Sequence, residues 1–133
     1  MVGVALKNDQ YAEELAALGV TLIVNNRPDG EMLGQPKSAA IEAAAREAGI
    51  DYLYLPVGKD GIGEAHLMEF NRAVSSTNGK TLGFCLSGMR SLLVCSYAEA
   101  TRGTNVKELV AQAEKAGYNI AGHAGALANL AAV

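Results

Sequence analysis

Three short apolar runs, each followed by a segment of helical character, constrain the fold more than any other feature of this sequence. The runs are VTLIVN at 20–25, DYLYLPV at 51–57 and KTLGFC at 80–85. Runs of this length and composition are typical of buried strands. Their alternation with helical patterns of about 10–15 residues predicts a parallel sheet with helices on its faces. We therefore expect an α/β fold with a central parallel sheet, to which Val2–Leu6 adds a short first strand.

The predicted helices begin and end at ordinary capping signals. The first follows Asp9 and stops at Gly19, and the second stops at Gly49 with Ser38 as its expected cap. A third helix, EAHLMEFNRAVSS, directs Leu67, Phe70 and Val74 inward. Further helices are expected at about Met89–Thr101 and from Thr104 or Asn105 to near Gly117, and the small apolar tail can add a final helical turn.

Length and charge limit the classes of function. A chain of 133 residues, half of them hydrophobic, is expected to form one domain, 1–133, with a packed core. A net charge of -3 argues against a nucleic-acid partner, which requires a basic face. The sequence contains no apolar run approaching the roughly 18 residues of a membrane span, and no signal-peptide core at its start. We expect a cytoplasmic protein without a membrane partner.

The stretch CLSGMRS, Cys85–Ser91, carries the clearest chemical signal. A cysteine between a strand and a helix start faces outward-pointing backbone N–H groups and the helix dipole, which favour the reactive thiolate. Gly88 permits the backbone to form an anion nest, Arg90 can fork onto oxyanion oxygens, and Ser91 can cap the helix and donate to the thiolate. These parts suit covalent catalysis on an anionic substrate. The expected anion-binding loop comprises Leu86, Ser87, Gly88, Met89 and Arg90.

Three polar loops are expected to converge at the carboxyl edge of the sheet, where α/β proteins place their sites. They are Asn25–Pro36, Gly58–Gly63 and Cys85–Ser91. The first contains three candidates for supporting roles: Asn26, Arg27 and Asp29.

Each of these side chains has a functional and a structural interpretation. Arg27 could widen the positive field over the cysteine, and Asp29 could orient Arg27 or Arg90. Pro28-Asp29-Gly30 is also an ordinary turn sequence, and an Arg–Asp pair can simply tie down a loop, so loop shaping is favoured over direct chemistry. Asn26 could hydrogen-bond to backbone near the cysteine, and Gln35 carries a weaker signal.

The remaining sulfur and imidazole groups favour structural roles. Cys95 lies ten residues after Cys85 in SLLVCSYAEA, where core packing is the better hypothesis. His66, expected on a helix surface, and His123 are isolated from other ligand-type residues, so no metal site is predicted. The sequence implies no cofactor.

The chain resembles a known family in several motifs. CLSGMRS resembles the Cys-x-x-Gly-x-Arg-Ser loop of rhodaneses and of bacterial phosphatase-like, sulfurtransferase-like domains often called beta-lactamase-hydrolase-like. VNNRPDGEMLGQP at 24–36 is similar to that family's signature, and IDYLYLPV and EKAGYNIAG match it further along the chain. The resemblance implies a dual-specificity-phosphatase-like fold. It also implies a sulfur dioxygenase as a partner, because members are found fused to a metallo-β-lactamase-type sulfur dioxygenase. Leu86 and Met89 stand where the family often has Arg and Thr, which makes this loop less cationic and more apolar.

The resemblance does not distinguish sulfur transfer from phosphate hydrolysis. Four residues separate Cys85 from Arg90, as in rhodaneses, where protein tyrosine phosphatases have five. Loop size therefore favours a sulfurtransferase that takes sulfur from a small anionic donor such as thiosulfate or a persulfide. The alternative is a phosphatase acting on a phosphoester, which needs a general acid. Asp60 stands where dual-specificity phosphatases keep their acid, although an Asp in GKDGIG is equally an ordinary turn residue. A third hypothesis is a non-catalytic anion- or persulfide-binding module.

Overall fold

A parallel sheet of four short strands forms the centre of the molecule. The architecture comes from a computed structural model that describes residues 2–3 and 10–131. The described strands are β1 Val2–Gly3, β2 Val20–Asn25, β3 Asp51–Tyr54 and β4 Lys80–Phe84, in the order β1-β4-β2-β3. Asn25 is level with both Tyr54 and Phe84 in the parallel register, so three strands end at one edge. The predicted parallel α/β sheet is confirmed, while Asp9 and positions 4–6 of the predicted first strand lie outside the described residues.

Helices connect the strands and continue after the last one. Their bounds are α1 Gln10–Ala17, α2 Ser38–Glu47, α3 Glu64–Ser75, α4 Met89–Thr101, α5 Val106–Lys115 and α6 Ala124–Ala131, with a 3₁₀ turn at Ala121–His123. The tail thus forms a helix of eight residues, longer than the single turn expected from its sequence. None of the helices in the described part of the chain has the length and apolar character needed to cross a bilayer.

The core is divided between the two faces of the sheet. On one face, α1 and α2 pack over apolar strand residues that include Ile23 and Phe84. On the other face, α3 and α4 enclose a second cluster in which Leu67 and Phe70 are buried, as predicted. A third cluster joins α4 to the C-terminal helices, and its buried members are Ala100, Leu109, Ala113, Ile120 and Leu127. The C-terminal helices therefore rest on α4, the helix that follows the cysteine loop.

The start of α2 differs from the prediction. Ser38 is the first helical residue rather than the cap, and its hydroxyl bonds the Tyr52 hydroxyl at 2.7 Å in the core. Its backbone N–H instead donates to Asp29 Oδ1 at 2.7 Å. The cap expectation for Ser38 was wrong because a carboxylate nine residues upstream takes the free N–H, which leaves the hydroxyl for Tyr52.

Candidate active site

Cys85 lies at the junction between β4 and α4, directly after the last strand residue. Its side chain is buried, and the Gly88 N–H points at its Sγ at 3.1 Å. Gly88 has φ of 90°, a left-handed conformation in which any side chain would be strained. This glycine allows the chain to turn back over the thiol just before the first residue of α4.

The environment of Cys85 lowers its pKa. Burial alone raises the pKa of the thiol, but hydrogen bonds from the backbone N–H groups of Ser91, Gly88 and Ser87 outweigh it. These donors belong to the loop and the first turn of α4, where helix N–H groups have no intrahelical acceptor. The thiolate, which is the nucleophilic form, is therefore favoured relative to an ordinary cysteine.

Ser91 supports the cysteine from inside the helix. The expectation that it caps α4 was wrong, because Gly88 occupies the cap position and Ser91 lies in the first turn. Its buried hydroxyl donates to Asn26 Oδ1 at 2.7 Å. The Ser91 hydroxyl also borders the thiol and, with the backbone donors, lowers the Cys85 pKa.

Asn26 ties the ends of three strands together. Its side-chain amide donates to the Leu55 carbonyl at 2.9 Å, and its backbone N–H donates to the Phe84 carbonyl at 2.9 Å. Its own carbonyl accepts from the Val57 N–H at 3.0 Å. With the Ser91 contact, every polar group of this buried residue has a hydrogen-bond partner. One of these partners is the Phe84 carbonyl, directly before Cys85. Asn26 therefore fixes the relative positions of the loops after β2, β3 and β4.

Arg90 joins the same loops at the exposed side of the site. Its Nη1 donates to the Val57 carbonyl at 2.9 Å, and its Nη2 donates to Glu31 Oε1 at 2.7 Å. Arg27 Nε reaches the same carboxylate oxygen at 3.2 Å. The hydrogen bond from Arg90 is the main reason that the pKa of Glu31 is lowered. Arg27, Glu31 and Arg90 form one charged cluster, which we call the arginine–glutamate cluster.

Glu31 is not among the site residues that the sequence predicted. A signal was present, since Arg27 and Glu31 stand four residues apart in the NRPDGE run. The hypothesis that Asp29 orients Arg27 or Arg90 was wrong, because Arg27 pairs with Glu31 and Asp29 accepts from the Ser38 N–H. The backbone N–H of Asp29 also donates to the Tyr54 hydroxyl at 2.9 Å. These contacts agree with the loop-shaping role that the turn sequence favoured.

Asp60 is exposed in the loop between β3 and α3. Within the described residues, no hydrogen bond or ion pair joins its carboxylate to the cysteine loop. The loop itself is held by His66, which accepts the Gly63 N–H at Nδ1, 2.9 Å away. Its other ring nitrogen, Nε2, must then carry a proton and donates to the Pro56 carbonyl at 2.9 Å. His66 is thus half-buried and hydrogen-bonds both ends of the loop that carries Asp60. The sequence had suggested an isolated surface residue.

The rest of the cysteine loop is open to solvent. Leu86 is 49% exposed, Ser87 is also exposed, and Met89 is half-buried. The Ser87 carbonyl accepts a hydrogen bond from the Tyr118 hydroxyl at 2.8 Å. The loop therefore presents apolar side chains beside the backbone N–H groups that face the thiol.

Cys95 and the second histidine lie elsewhere. Cys95 packs within α4, and burial raises its pKa to about 11. His123 Nδ1 contacts the Tyr97 hydroxyl at 2.6 Å. In residues 2–3 and 10–131, no three side chains of the His, Cys, Asp or Glu type come together as a metal site would require.

The chain belongs to the family of the phosphatase-like domain of beta-lactamase hydrolase-like proteins, whose model matches residues 2–102. A relative of that name from Xylella fastidiosa is 42% identical over 88 residues, 66% of this chain and 20% of the relative. Another, from Agrobacterium fabrum, is 37% identical over 89 residues, 67% of this chain and 21% of the relative. The chain thus spans about a fifth of the length of these curated relatives.

Solved phosphatase structures share the fold. A candidate phosphatase from Neisseria meningitidis is 28% identical and superposes with a TM-score of 0.78, over 97% of this chain and 89% of that chain. The kinase associated phosphatase, with its catalytic cysteine replaced by serine, gives a TM-score of 0.73 at 18% identity, over 94% and 78% of the two chains. TpbA from Pseudomonas aeruginosa, solved with phosphotyrosine, gives 0.60 at 18% identity, over 98% and 84%. The dual-specificity-phosphatase-like fold expected from the sequence is confirmed.

Proposed function

We propose that this chain is a cysteine-dependent phosphatase domain that hydrolyses phosphomonoesters through a phosphocysteine at Cys85. The observation that carries the proposal is the environment of the thiol. A cysteine of lowered pKa lies under the backbone N–H groups of Ser87, Gly88 and Ser91, and the Arg90 guanidinium interacts with the same thiolate. Such donors can stabilise the charge on a transferring phosphoryl group.

The family and the solved structures support phosphate chemistry better than sulfur chemistry, which loop length alone had favoured. The matching family is a phosphatase-like domain, and the similar structures include phosphatases whose substrate group is a phosphoester. We extend that substrate class to this chain as part of the proposal, with the catalytic domain comprising residues 1–133.

In the first step, the Cys85 thiolate attacks phosphorus in line with the ester oxygen. A sulfur–phosphorus bond forms, the phosphorus–oxygen bond breaks, and the leaving oxygen takes the proton of a general acid. Asp60 is our candidate for that acid, because its loop follows Val57, whose carbonyl holds Arg90. An alkoxide or phenoxide leaves poorly without a proton, so the acid contributes most for the poorest leaving groups.

In the second step, water attacks the phosphocysteine. The sulfur–phosphorus bond breaks and returns the thiolate, the water proton passes to the Asp60 carboxylate, and inorganic phosphate leaves. In both steps the loop N–H groups hold the phosphoryl oxygens, together with the Arg90 N–H groups that Val57 and Glu31 do not take. Arg27, Asn26 and Asp29 contribute by holding the loops in place.

Sulfur transfer is the second candidate, and the four-residue spacing between Cys85 and Arg90 favours it. The thiolate would attack the outer sulfur of thiosulfate, form the Cys85 persulfide and release sulfite. Cyanide or a thiol would then take the outer sulfur and return the thiolate. A sulfur dioxygenase as partner belongs to this candidate only.

One experiment separates the two reactions. Wild type, Cys85→Ser, Asp60→Asn and the matched control Cys95→Ser are incubated with phenyl phosphate, whose phenoxide leaving group needs a proton, and phosphate release is measured. The masses of the intact proteins in acid-quenched samples are measured by mass spectrometry to detect a phosphoryl adduct. Parallel samples with thiosulfate are examined for one added sulfur that cyanide removes.

The phosphatase proposal requires release that depends on Cys85 and not on Cys95, with a phosphoryl adduct at Cys85. Asp60→Asn is expected to lower turnover about 10²-fold, the usual size of a general-acid contribution. A cyanide-labile sulfur at Cys85 without phosphate release would overturn the proposal in favour of sulfur transfer. A Cys85 that reacts with alkylating reagents but supports neither phosphate release nor sulfur transfer would favour the non-catalytic binding module.

A further inference from the structure

Tyr118 contacts the cysteine loop from the C-terminal part of the chain, beyond the residues that the family model covers. The matched residues end at 102, whereas Tyr118 follows α5 and donates its hydroxyl to the Ser87 carbonyl at 2.8 Å. Its backbone position is fixed, because its N–H donates to the Ala113 carbonyl at 2.9 Å. Gly117 has φ of 92° and allows the chain to leave α5 with that bond intact.

The Ser87 carbonyl and the Gly88 N–H belong to one peptide unit. The described residues contain no cis peptide bond, and in a planar trans peptide the C=O and N–H point in opposite directions. The Tyr118 hydroxyl holds the carbonyl on one side of this unit. On the other side, the N–H points at Cys85 Sγ at 3.1 Å. A single peptide plane thus lies between the phenol and the thiol.

We propose that Tyr118 is a positioning residue whose hydroxyl fixes and polarises the Ser87–Gly88 peptide, so that the Gly88 N–H stays directed at the Cys85 sulfur and at an oxyanion bound above it. The part that concerns the oxyanion rests on the proposed function, while the part that concerns the thiol does not.

The physical reason lies in the freedom of a peptide next to glycine. Gly88 accepts conformations closed to other residues, so the peptide before it can rotate and direct the Ser87 carbonyl toward the sulfur. A carbonyl oxygen in that place would repel a thiolate and a phosphoryl oxygen alike. A donor on the carbonyl from outside opposes this rotation, and successive hydrogen bonds through the peptide strengthen one another.

The test compares two tyrosine hydroxyls. Tyr118→Phe removes the contact to the Ser87 carbonyl, and Tyr97→Phe removes a hydroxyl on α4 that bonds His123 Nδ1 rather than the cysteine loop. Both variants are made in a Cys95→Ser background. The rate of Cys85 alkylation by iodoacetate is measured against pH, which reports the thiol pKa without any need for turnover.

We expect the titration midpoint of Cys85 to rise in Tyr118→Phe and to stay at the reference value in Tyr97→Phe. Alkylation at neutral pH should slow several-fold in the first variant only. Phosphate release should fall about 3- to 10-fold through kcat. If turnover is undetectable in every sample but the midpoint still shifts, the proposed function fails while this inference stands.

A second variant distinguishes loss of the hydrogen bond from a folding defect in Tyr118→Phe. Site-specific replacement of Tyr118 by 3-fluorotyrosine keeps the ring and makes the phenol a stronger donor. It should move the Cys85 midpoint downward, opposite to Tyr118→Phe, and the Gly88 amide resonance should move in opposite directions in the two variants. Equal midpoints in the reference, Tyr118→Phe and fluorotyrosine proteins would overturn the inference.

Discussion

Cys85 and Cys95 lie ten residues apart around one helix, and their surroundings have opposite effects on their thiols. Cys85 is buried and Cys95 is partly buried, and this loss of water by itself raises a thiol pKa. Cys85 precedes the helix and receives N–H groups that no carbonyl has taken. Cys95 lies inside α4, where the backbone N–H groups are bonded to carbonyls one turn earlier, and Glu99 adds a further unfavourable charge. The position of a cysteine relative to a helix start thus decides whether its thiol pKa is lowered or raised.

The largest expected effect is the difference in reactivity between these two thiols. The pKa of Cys85 is lowered, so its alkylation rate should rise with pH through a midpoint below the ordinary thiol value and then level off. The rate at Cys95 should still be rising near its pKa of about 11. At pH 7 we expect iodoacetate to modify Cys85 at least about 100-fold faster, because the thiolate fraction follows the pKa.

Single variants assign the two rates. Cys95→Ser reports Cys85 alone, and Cys85→Ser reports Cys95 alone, with the products measured by intact mass. Neutral iodoacetamide serves as a comparison. If the cysteine loop binds anions, the ratio of the iodoacetate rate to the iodoacetamide rate should be higher at Cys85 than at Cys95. Similar rates at the two sites would mean that the helix-start environment does not activate Cys85.

The second expected effect concerns the buried polar support that Cys85 has and Cys95 lacks. Asn26→Ala leaves the Ser91 hydroxyl and the Leu55 carbonyl without their partner in the interior. Leaving buried polar groups unsatisfied should lower the free energy of unfolding by about 2–3 kcal/mol. The pKa of Cys85 should fall further, because the Ser91 hydroxyl proton that Asn26 accepts becomes free to turn toward the thiolate. Urea denaturation and iodoacetate titration measure the two changes.

Asn71→Ala is the matched control for that substitution. Asn71 on α3 also donates its amide to a neighbouring helix, to Thr101 Oγ1 at 3.0 Å, but it is only partly buried. Its loss should change the unfolding free energy by about 0.5 kcal/mol or less. Equal destabilisation by the two substitutions would contradict the role of Asn26 as the buried junction of the three loops.

Local patterns in the sequence predicted the frame of this site. The alternation of apolar runs and helical segments gave the parallel sheet, and that topology placed Cys85 at its carboxyl edge. Core positions such as Leu67 and Phe70 followed from helical spacing. These features depend on periodicities of two or 3.6 residues, which any single stretch of sequence contains.

The partners of the polar side chains could not be predicted in the same way. Glu31 meets Arg90 across 59 positions of sequence, Ser91 meets Asn26 across 65, and Tyr118 meets Ser87 across 31. Each pairing depends on the path of an irregular loop. Ser38 at the start of α2 is a further example. Its N–H is bound by Asp29, and its hydroxyl therefore bonds Tyr52 instead of capping the helix.

The smallest expected effect tests the exposed side of the site, where charge rather than backbone geometry acts on Cys85. Glu31 shares one oxygen between Arg90 and Arg27, and its carboxylate is only partly screened from water. Its pKa is lowered by the hydrogen bond from Arg90, so the ion pair is complete above the ordinary Glu pKa and is lost as pH falls through the lowered value. At neutral pH the cluster therefore carries two positive charges and one negative charge.

Glu31→Gln removes the negative charge and keeps an acceptor for Arg90. A dianion bound beside Arg90 should then bind about 2- to 4-fold more tightly, since a single exposed charge contributes modestly and is screened by salt. Protection of Cys85 from iodoacetamide by inorganic phosphate measures this affinity, and the gain should shrink as ionic strength rises. Glu42→Gln, which breaks an exposed Glu–Arg pair on α2, should leave protection unchanged. Weaker phosphate protection in Glu31→Gln would instead mean that the carboxylate chiefly holds Arg90 in place, so that geometry governs the exposed side of the site as it does the buried one.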